Sequence, residues 1–359
     1  MIFLLINCRI LSVLSYLPIN SITPFNQDLW LSILFSVLFS VLFSIPLLFL
    51  SNRFRSLSLT KYTEIIAGKA VAKIYTAAII SVLFIESVFM LNSSLIFVKN
   101  SALSHMPVIV LLIIFTAVCF YADYKGKTVI ARSALIFVPI ILVVIILLSF
   151  FGLKNTDFTQ LLPIYKESGV FAIAKGAFSV AVNYSEIFIF AFLIPKMQPA
   201  ASVKKIFTLF LAVSTVFILL IAVLPQLTLG VNTATEFKSP FFYYTRLIQV
   251  SSFLQNVESL QFFVWAISCV LKFSLYVYII CLALKSLLNL KNNNKIKLPV
   301  LILISAATLY LYYQKSAFFK NILSQKNITM VLFPLIFIIP LILLIVYFIR
   351  KKKINYQPL

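Results

Sequence analysis

Residues Gly169–Pro195 read "GVFAIAKGAFSVAVNYSEIFIFAFLIP". A helix needs about 20 largely apolar residues to cross a bilayer, and this stretch supplies them. It also holds a carboxylate, Glu186, inside the run. An ionisable side chain at the middle of a bilayer costs about 2.5–3.5 kcal/mol on insertion scales. A spanning segment that keeps one turns it toward protein rather than lipid. The stretch therefore fixes a fold class and raises the question of what Glu186 faces.

The rest of the chain agrees on the class. Of its 359 residues, 62% are hydrophobic and 11% charged, and the mean hydropathy is +1.08. A soluble chain of this length cannot bury that much apolar surface. Lipid admits only helices and closed barrels, because each backbone polar group must be satisfied internally. Barrels are written as short alternating segments, whereas these runs are long and unbroken. The expectation is an all-α integral membrane protein of about ten transmembrane helices, forming one transmembrane domain over residues 1–359.

Ten candidate spans follow in order: Ile2–Leu17, Trp30–Leu50, Ile74–Val98, Pro107–Tyr121, Val129–Leu153, Gly169–Pro195, Ile206–Leu224, Leu260–Leu284, Leu298–Tyr313 and Val331–Ile349. With the N-terminus inside, the inner connections gather Arg53, Arg55, Lys61, Lys69, Lys73, Lys125, Lys127, Arg132, Lys196, Lys204, Lys205, Lys285, Lys291, Lys295, Lys297 and the tail Arg350–Lys353. Outer connections carry fewer basic residues, so the bias puts both termini in the cytoplasm. The net charge of +21 fits contact with anionic head groups of the bilayer and does not point to nucleic acid, because the basic residues lie in loops between spans. Among the outer connections, "FFYYTRLIQVSSFLQ" has helical spacing and is expected to be partly helical.

Several chemistries find no support. The four cysteines, Cys8, Cys119, Cys269 and Cys281, lie scattered in apolar runs without metal or disulfide spacing. His105 stands alone in a short loop. No catalytic residues, metal ligands or cofactor are expected, and no enzyme activity. "MIFLLINC" has no basic lead and is too short for a signal peptide, so it reads as a truncated or short first membrane helix.

Four ionisable residues lie deep in spans: Arg9, Glu86, Glu186 and Lys272, in the first, third, sixth and eighth. Two are basic and two acidic, so they can neutralise one another. Ser179, Asn183 and Glu186 share one helix face, as do Ser268, Lys272 and Tyr276; such polar stripes should point inward. They read equally as structural ion pairs or as a ligand or proton site. Arg9, near the start of a short span, is expected to snorkel to the cytoplasmic surface. The small and β-branched residues of "AIAKGAFSVAVNYSE" allow either a breakable helix offering main-chain groups or close packing through a small-residue face.

Five stretches together carry a family resemblance: "LSLTKYTEIIAGK", "ARSALIFVPIIL", "LLPIYKESGVFAIAKGAF", "SEIFIFAFLIPKM" and "SPFFYYTRLIQVSSFLQNVESLQFFVWAISCVLKFSLYVY". In this order and spacing the chain resembles the spore germination receptor B-subunits, permease-like members of germinant receptors within the amino acid–polyamine–organocation superfamily. The resemblance implies a fold like that of the sodium-coupled leucine transporter, with two inverted five-helix repeats. In that fold the first, third, sixth and eighth helices surround the ligand, and the first and sixth are broken there. Related transporters have glycine at the break in the first helix; "CRILSVLSYLP" has none.

The implied function is a germinant receptor subunit of the spore inner membrane that binds a small germinant such as an amino acid and triggers germination. The alternative is a proton-coupled amino acid transporter, with Glu86, Glu186 or Lys272 carrying the proton. An ion channel is a third class, but the deep charges form no ring. Candidate ligand-contacting residues are Ser12, Glu86, Ala181, Asn183, Tyr184, Glu186, Lys272 and Tyr276. Main-chain groups near Ala181–Tyr184 would hold the germinant's carboxylate and amine. The resemblance also implies partners, namely a germination A-subunit and a C-type lipoprotein subunit.

Overall fold

The computed structural model describes residues 1–15, 27–162, 164, 169–182, 186–197, 202–237, 239–249, 257–290, 294–314 and 325–351. Helices make up the regular structure, and there is no strand among the described residues. They are α1 (Ile2–Ser15), α2 (Leu29–Arg53), α3 (Leu59–Ala67), α4 (Lys69–Ser101), α5 (Val108–Lys125), α6 (Lys127–Gly152), α7 (Gly169–Val182) and α8 (Glu186–Leu193). After them come α9 (Val203–Leu229), α10 (Val231–Glu236), α11 (Pro240–Arg246), α12 (Glu258–Leu287), α13 (Asn294–Tyr313), α14 (Gln325–Phe333) and α15 (Ile339–Arg350). Among the described residues, nine stretches are long and apolar enough to span a membrane, and Ile2–Leu14 is a shorter apolar helix. Together they coincide with the ten spans read from hydropathy.

Connections hold structure of their own. α3 lies within the inner connection that follows α2. It starts at Ser58, whose hydroxyl accepts from the Lys61 amide, and ends at Gly68. At φ 93° Gly68 adopts a conformation open to glycine, which lets α4 begin at the next residue. On the other side, the expected helix in "FFYYTRLIQVSSFLQ" covers only Pro240–Arg246, and residues 250–256 lie outside the described set.

Two compact units emerge from the packing, each assembled from three separate stretches. The first comprises Met1–Phe39, Ala131–Ala181 and Thr208–Lys272. Within it, α1 is enclosed, with every residue from Leu4 to Leu14 buried. Phe39 and Phe178 meet edge to face at 6.3 Å, and the Ser32 hydroxyl donates to the Ile173 carbonyl. Tyr244 of α11 donates to the carbonyls of Leu148 and Ser149 at 3.3 and 3.1 Å. Its ring leaves no room beside Gly152, where a Cβ would come 2.0 Å from the phenolic oxygen. That residue is glycine because of the approach of Tyr244, not because of its backbone angles.

The second unit comprises Ser40–Ile130, Val182–Phe207 and Phe273–Leu359. Here α4 packs on α3, α5 and α13, and α15 packs on α3. Arg350 donates to the Ile66 carbonyl at the end of α3, placing a cation at a helix C-terminus. A π-helical turn, Pro334–Ile338, joins α14 to α15. In that register the Leu335 carbonyl would need the amide of residue 340, which is Pro340 and has none. The Tyr75 hydroxyl supplies the missing donor at 3.0 Å.

Candidate functional site

The polar side chains of α1 organise a buried cluster in the first unit. Asn7 donates from Nδ2 to the Ser268 carbonyl of α12 at 3.1 Å. One residue on, the Cys8 carbonyl accepts from Lys272 Nζ at 2.8 Å and from the Ser12 hydroxyl at 2.9 Å. Lys272 also donates to Ser12 Oγ, closing a triangle of ammonium, hydroxyl and carbonyl. Arg9 donates from Nη2 to the Val180 carbonyl at 3.3 Å. Val180 lies two residues before Val182, the last described residue of α7. The carbonyl replaces part of the hydration that the guanidinium loses on burial.

Arg9 and Lys272 are 1% and 0% exposed, so the cluster holds two cations in a place water does not reach. A buried cation is tolerable only where hydrogen bonds replace its hydration. The main chain of α1 and α7 supplies some of those bonds here. Chemically, the arrangement can hold an anionic group such as a carboxylate.

In the second unit, Tyr276 is fully buried and donates to Glu86 Oε2 at 2.9 Å, while Glu86 itself is half-buried. Glu186 is fully buried as the first residue of α8.

A family model described as spore germination protein matches residues 1–318. The chain belongs to the spore germination permease family. None of the curated proteins matches it.

The candidates read from the permease's sequence fall into place unevenly. The structure joins Ser12 to Lys272 and Tyr276 to Glu86. The stripe Ser268, Lys272 and Tyr276 is wholly buried, and Ala181 is buried in the last turn of α7. Asn183 and Tyr184 lie outside the described residues, and so does the proposed unwinding at that point. The described part of α7 runs to Val182 and that of α8 starts at Glu186.

One reading of a basic residue is corrected, and a second residue proves more buried than its loop position implies. Arg9 does not snorkel to the surface: α1 is enclosed by protein, and the guanidinium turns to α7. A usable signal was present, because Asn7 and Arg9 project from nearly opposite faces of α1 while Ser12 takes a third direction. A lipid-facing helix cannot carry polar groups all round. Lys297, counted with the inner-loop charges, is 5% exposed; it donates to the Asp123 carbonyl at 2.7 Å, with the Asp123 carboxylate 3.8 Å away. Asp123 stands near the end of α5, and nothing in its local sequence announced burial.

Proposed function

We propose that this spore germination permease is the membrane-embedded subunit of a germinant receptor, binding a small amino-acid germinant and triggering germination. The single observation that carries this reading is the pair of buried cations, Arg9 and Lys272, held on the main chain of α1 and α7. The germinant's carboxylate would take its place between guanidinium and ammonium, with the Ser12 hydroxyl as a further donor. Its amine would take the main-chain carbonyls at Val180 and Ala181. Asn183 and Tyr184, next in sequence, remain candidates for the same contacts.

The rest of the reading comes from the family. It comprises the inverted five-helix repeats, both termini in the cytoplasm, residence in the spore inner membrane, and partnership with an A-subunit and a lipoprotein. Binding would favour one of two arrangements of the helices, which the partners would read. A second reading is proton-coupled amino acid transport, favoured by the carboxylate of Glu86 on the Tyr276 hydroxyl, a pair able to exchange a proton.

Spores carrying the wild-type chain or Glu186→Ala, exposed to a panel of L-amino acids, test the receptor reading through germination dose–response. Loss of response with normal protein levels is the expected result, and an unchanged curve removes Glu186 from the function. Purified chain in vesicles, given labelled amino acids with and without a pH gradient, decides between the readings. Uptake driven by the gradient favours transport; binding without uptake favours the receptor.

A further inference from the structure

A second feature lies in the other unit, apart from the buried cations. Between α4, α12 and α13 the surface opens into an apolar groove of about 370 Å³, lined by Ile80, Phe84, Ile85, Ile280, Leu284 and Leu303 among others. Ile85 is 44% exposed and Leu303 60%, so the groove faces the hydrocarbon around the protein. Lipid would wet any such face, and apolar character alone selects no occupant.

One end of the groove is basic. On α4, Lys73, Ala77, Ile80 and Phe84 follow i, i+4, i+7 and i+11, so Lys73 lies on the lining face about 10 Å beyond Ile80. Lys285 follows Leu284 directly on α12, and Lys295 precedes Val300 by five residues on α13. Lys73 and Lys295 are exposed and Lys285 is half-exposed.

Hydrogen bonds set two of these helix ends at one level. The start of α3 holds both: Ser58 pairs with Ser286 of α12 at 3.4 Å, and Thr60 accepts from Thr76 of α4 at 3.0 Å. The N-terminal end of α13 meets the C-terminal end of α5 through Lys297 and Asp123. Because successive spans alternate in direction, the N-terminal ends of α4 and α13 and the C-terminal ends of α5 and α12 share one side of the membrane.

We propose that this groove and its lysine rim bind an anionic phospholipid of the surrounding membrane. One acyl chain lies along Ile80, Phe84, Ile280 and Leu303, and the phosphate is held by Lys73, Lys285 and Lys295. Basic pockets between spanning helices are suited to such head groups, and each nearby lysine strengthens attraction to an anionic lipid about fivefold. A zwitterionic lipid has the same tail but no net charge for the rim.

The test uses the full chain in phosphatidylcholine vesicles doped with a lipid bearing a photo-reactive group in mid-chain, either phosphatidylglycerol or phosphatidylcholine with identical tails. After irradiation, adducts are mapped by peptide mass spectrometry. Labelling should concentrate in peptides holding residues 80–85, 280–284 and 300–303, with phosphatidylglycerol ahead of phosphatidylcholine by fivefold or more. Lys73→Gln should lower phosphatidylglycerol labelling about fivefold, while Lys73→Arg should retain it. Leu303→Trp, which fills the groove, should remove labelling by both lipids with an unchanged melting temperature. Equal labelling by the two lipids, adducts away from the groove, or no effect of Lys73→Gln would overturn the proposal. Loss of adducts on adding native membrane partners would also overturn it, by assigning the groove to a protein helix.

Discussion

Lys272 of α12 donates its ammonium to the main-chain carbonyl of Cys8 on α1 at 2.8 Å, across 264 positions of sequence. A charge that the chain could have left at a surface is instead spent on joining two buried helices. The Ser12 hydroxyl shares both partners. The same contact that ties α12 to α1 thus fixes a cation among buried main-chain groups.

Replacing Lys272 by Met removes the ammonium and keeps the bulk of the stem. Hydrogen bonds involving a charged group are worth about 1.5–3 kcal/mol, so germinant sensitivity should fall tenfold or more. Lys272→Arg keeps the charge and should recover part of it. Spore dose–response curves, normalised to protein level by immunoblot, measure both.

Arg9→Gln tests whether the guanidinium is a surface anchor or part of the interior. A snorkelling arginine would be replaceable with little effect. Buried on the Val180 carbonyl, its loss should lower the amount of folded chain or blunt the germinant response, with Arg9→Lys intermediate because it lacks the planar fork. Membrane protein level and germination rate are the readouts.

Tyr276→Phe deletes one hydroxyl from beside Glu86. The expected cost is about 1.5–3 kcal/mol, read as a lower melting temperature of the purified chain in detergent. In the double change with Glu86→Gln, the second substitution should add less than it does alone. Strict additivity would show that the two side chains do not interact.

Tyr75→Phe should destabilise the π-helical turn by leaving the Leu335 carbonyl buried without its side-chain donor. A lost partner of this kind costs about 1–3 kcal/mol. Hydrogen exchange should quicken around residues 334–343 more than elsewhere. Adding Pro340→Ala restores an amide within reach of that carbonyl and should return much of the protection.

Gly152→Ala should be destabilising by about 1–3 kcal/mol, because its new methyl collides with the Tyr244 ring. Tyr244→Ala alone costs packing and two hydrogen bonds. In the double substitution the collision is gone, so the total cost should be less than the sum. Melting temperatures of the four chains close this cycle.

The residue order alone carries the class, the succession of spans and the presence of deep charges. Each of these rests on one-dimensional information: an apolar run long enough for a bilayer, a basic loop, or a carboxylate set in hydrocarbon as at Glu186. It also showed that Ser268, Lys272 and Tyr276 share a face, since helical periodicity alone places them. Tertiary structure decided what those faces meet. Nothing near Cys8 announces that its carbonyl will accept from Lys272, nor near Tyr75 that its hydroxyl will replace an amide Pro340 lacks. Arg9 stands midway along a short helix, and a cation there has two cheap fates, the interface or a carbonyl on a neighbouring helix. Local sequence is common to both, and only the enclosure of α1 on every side selects the second.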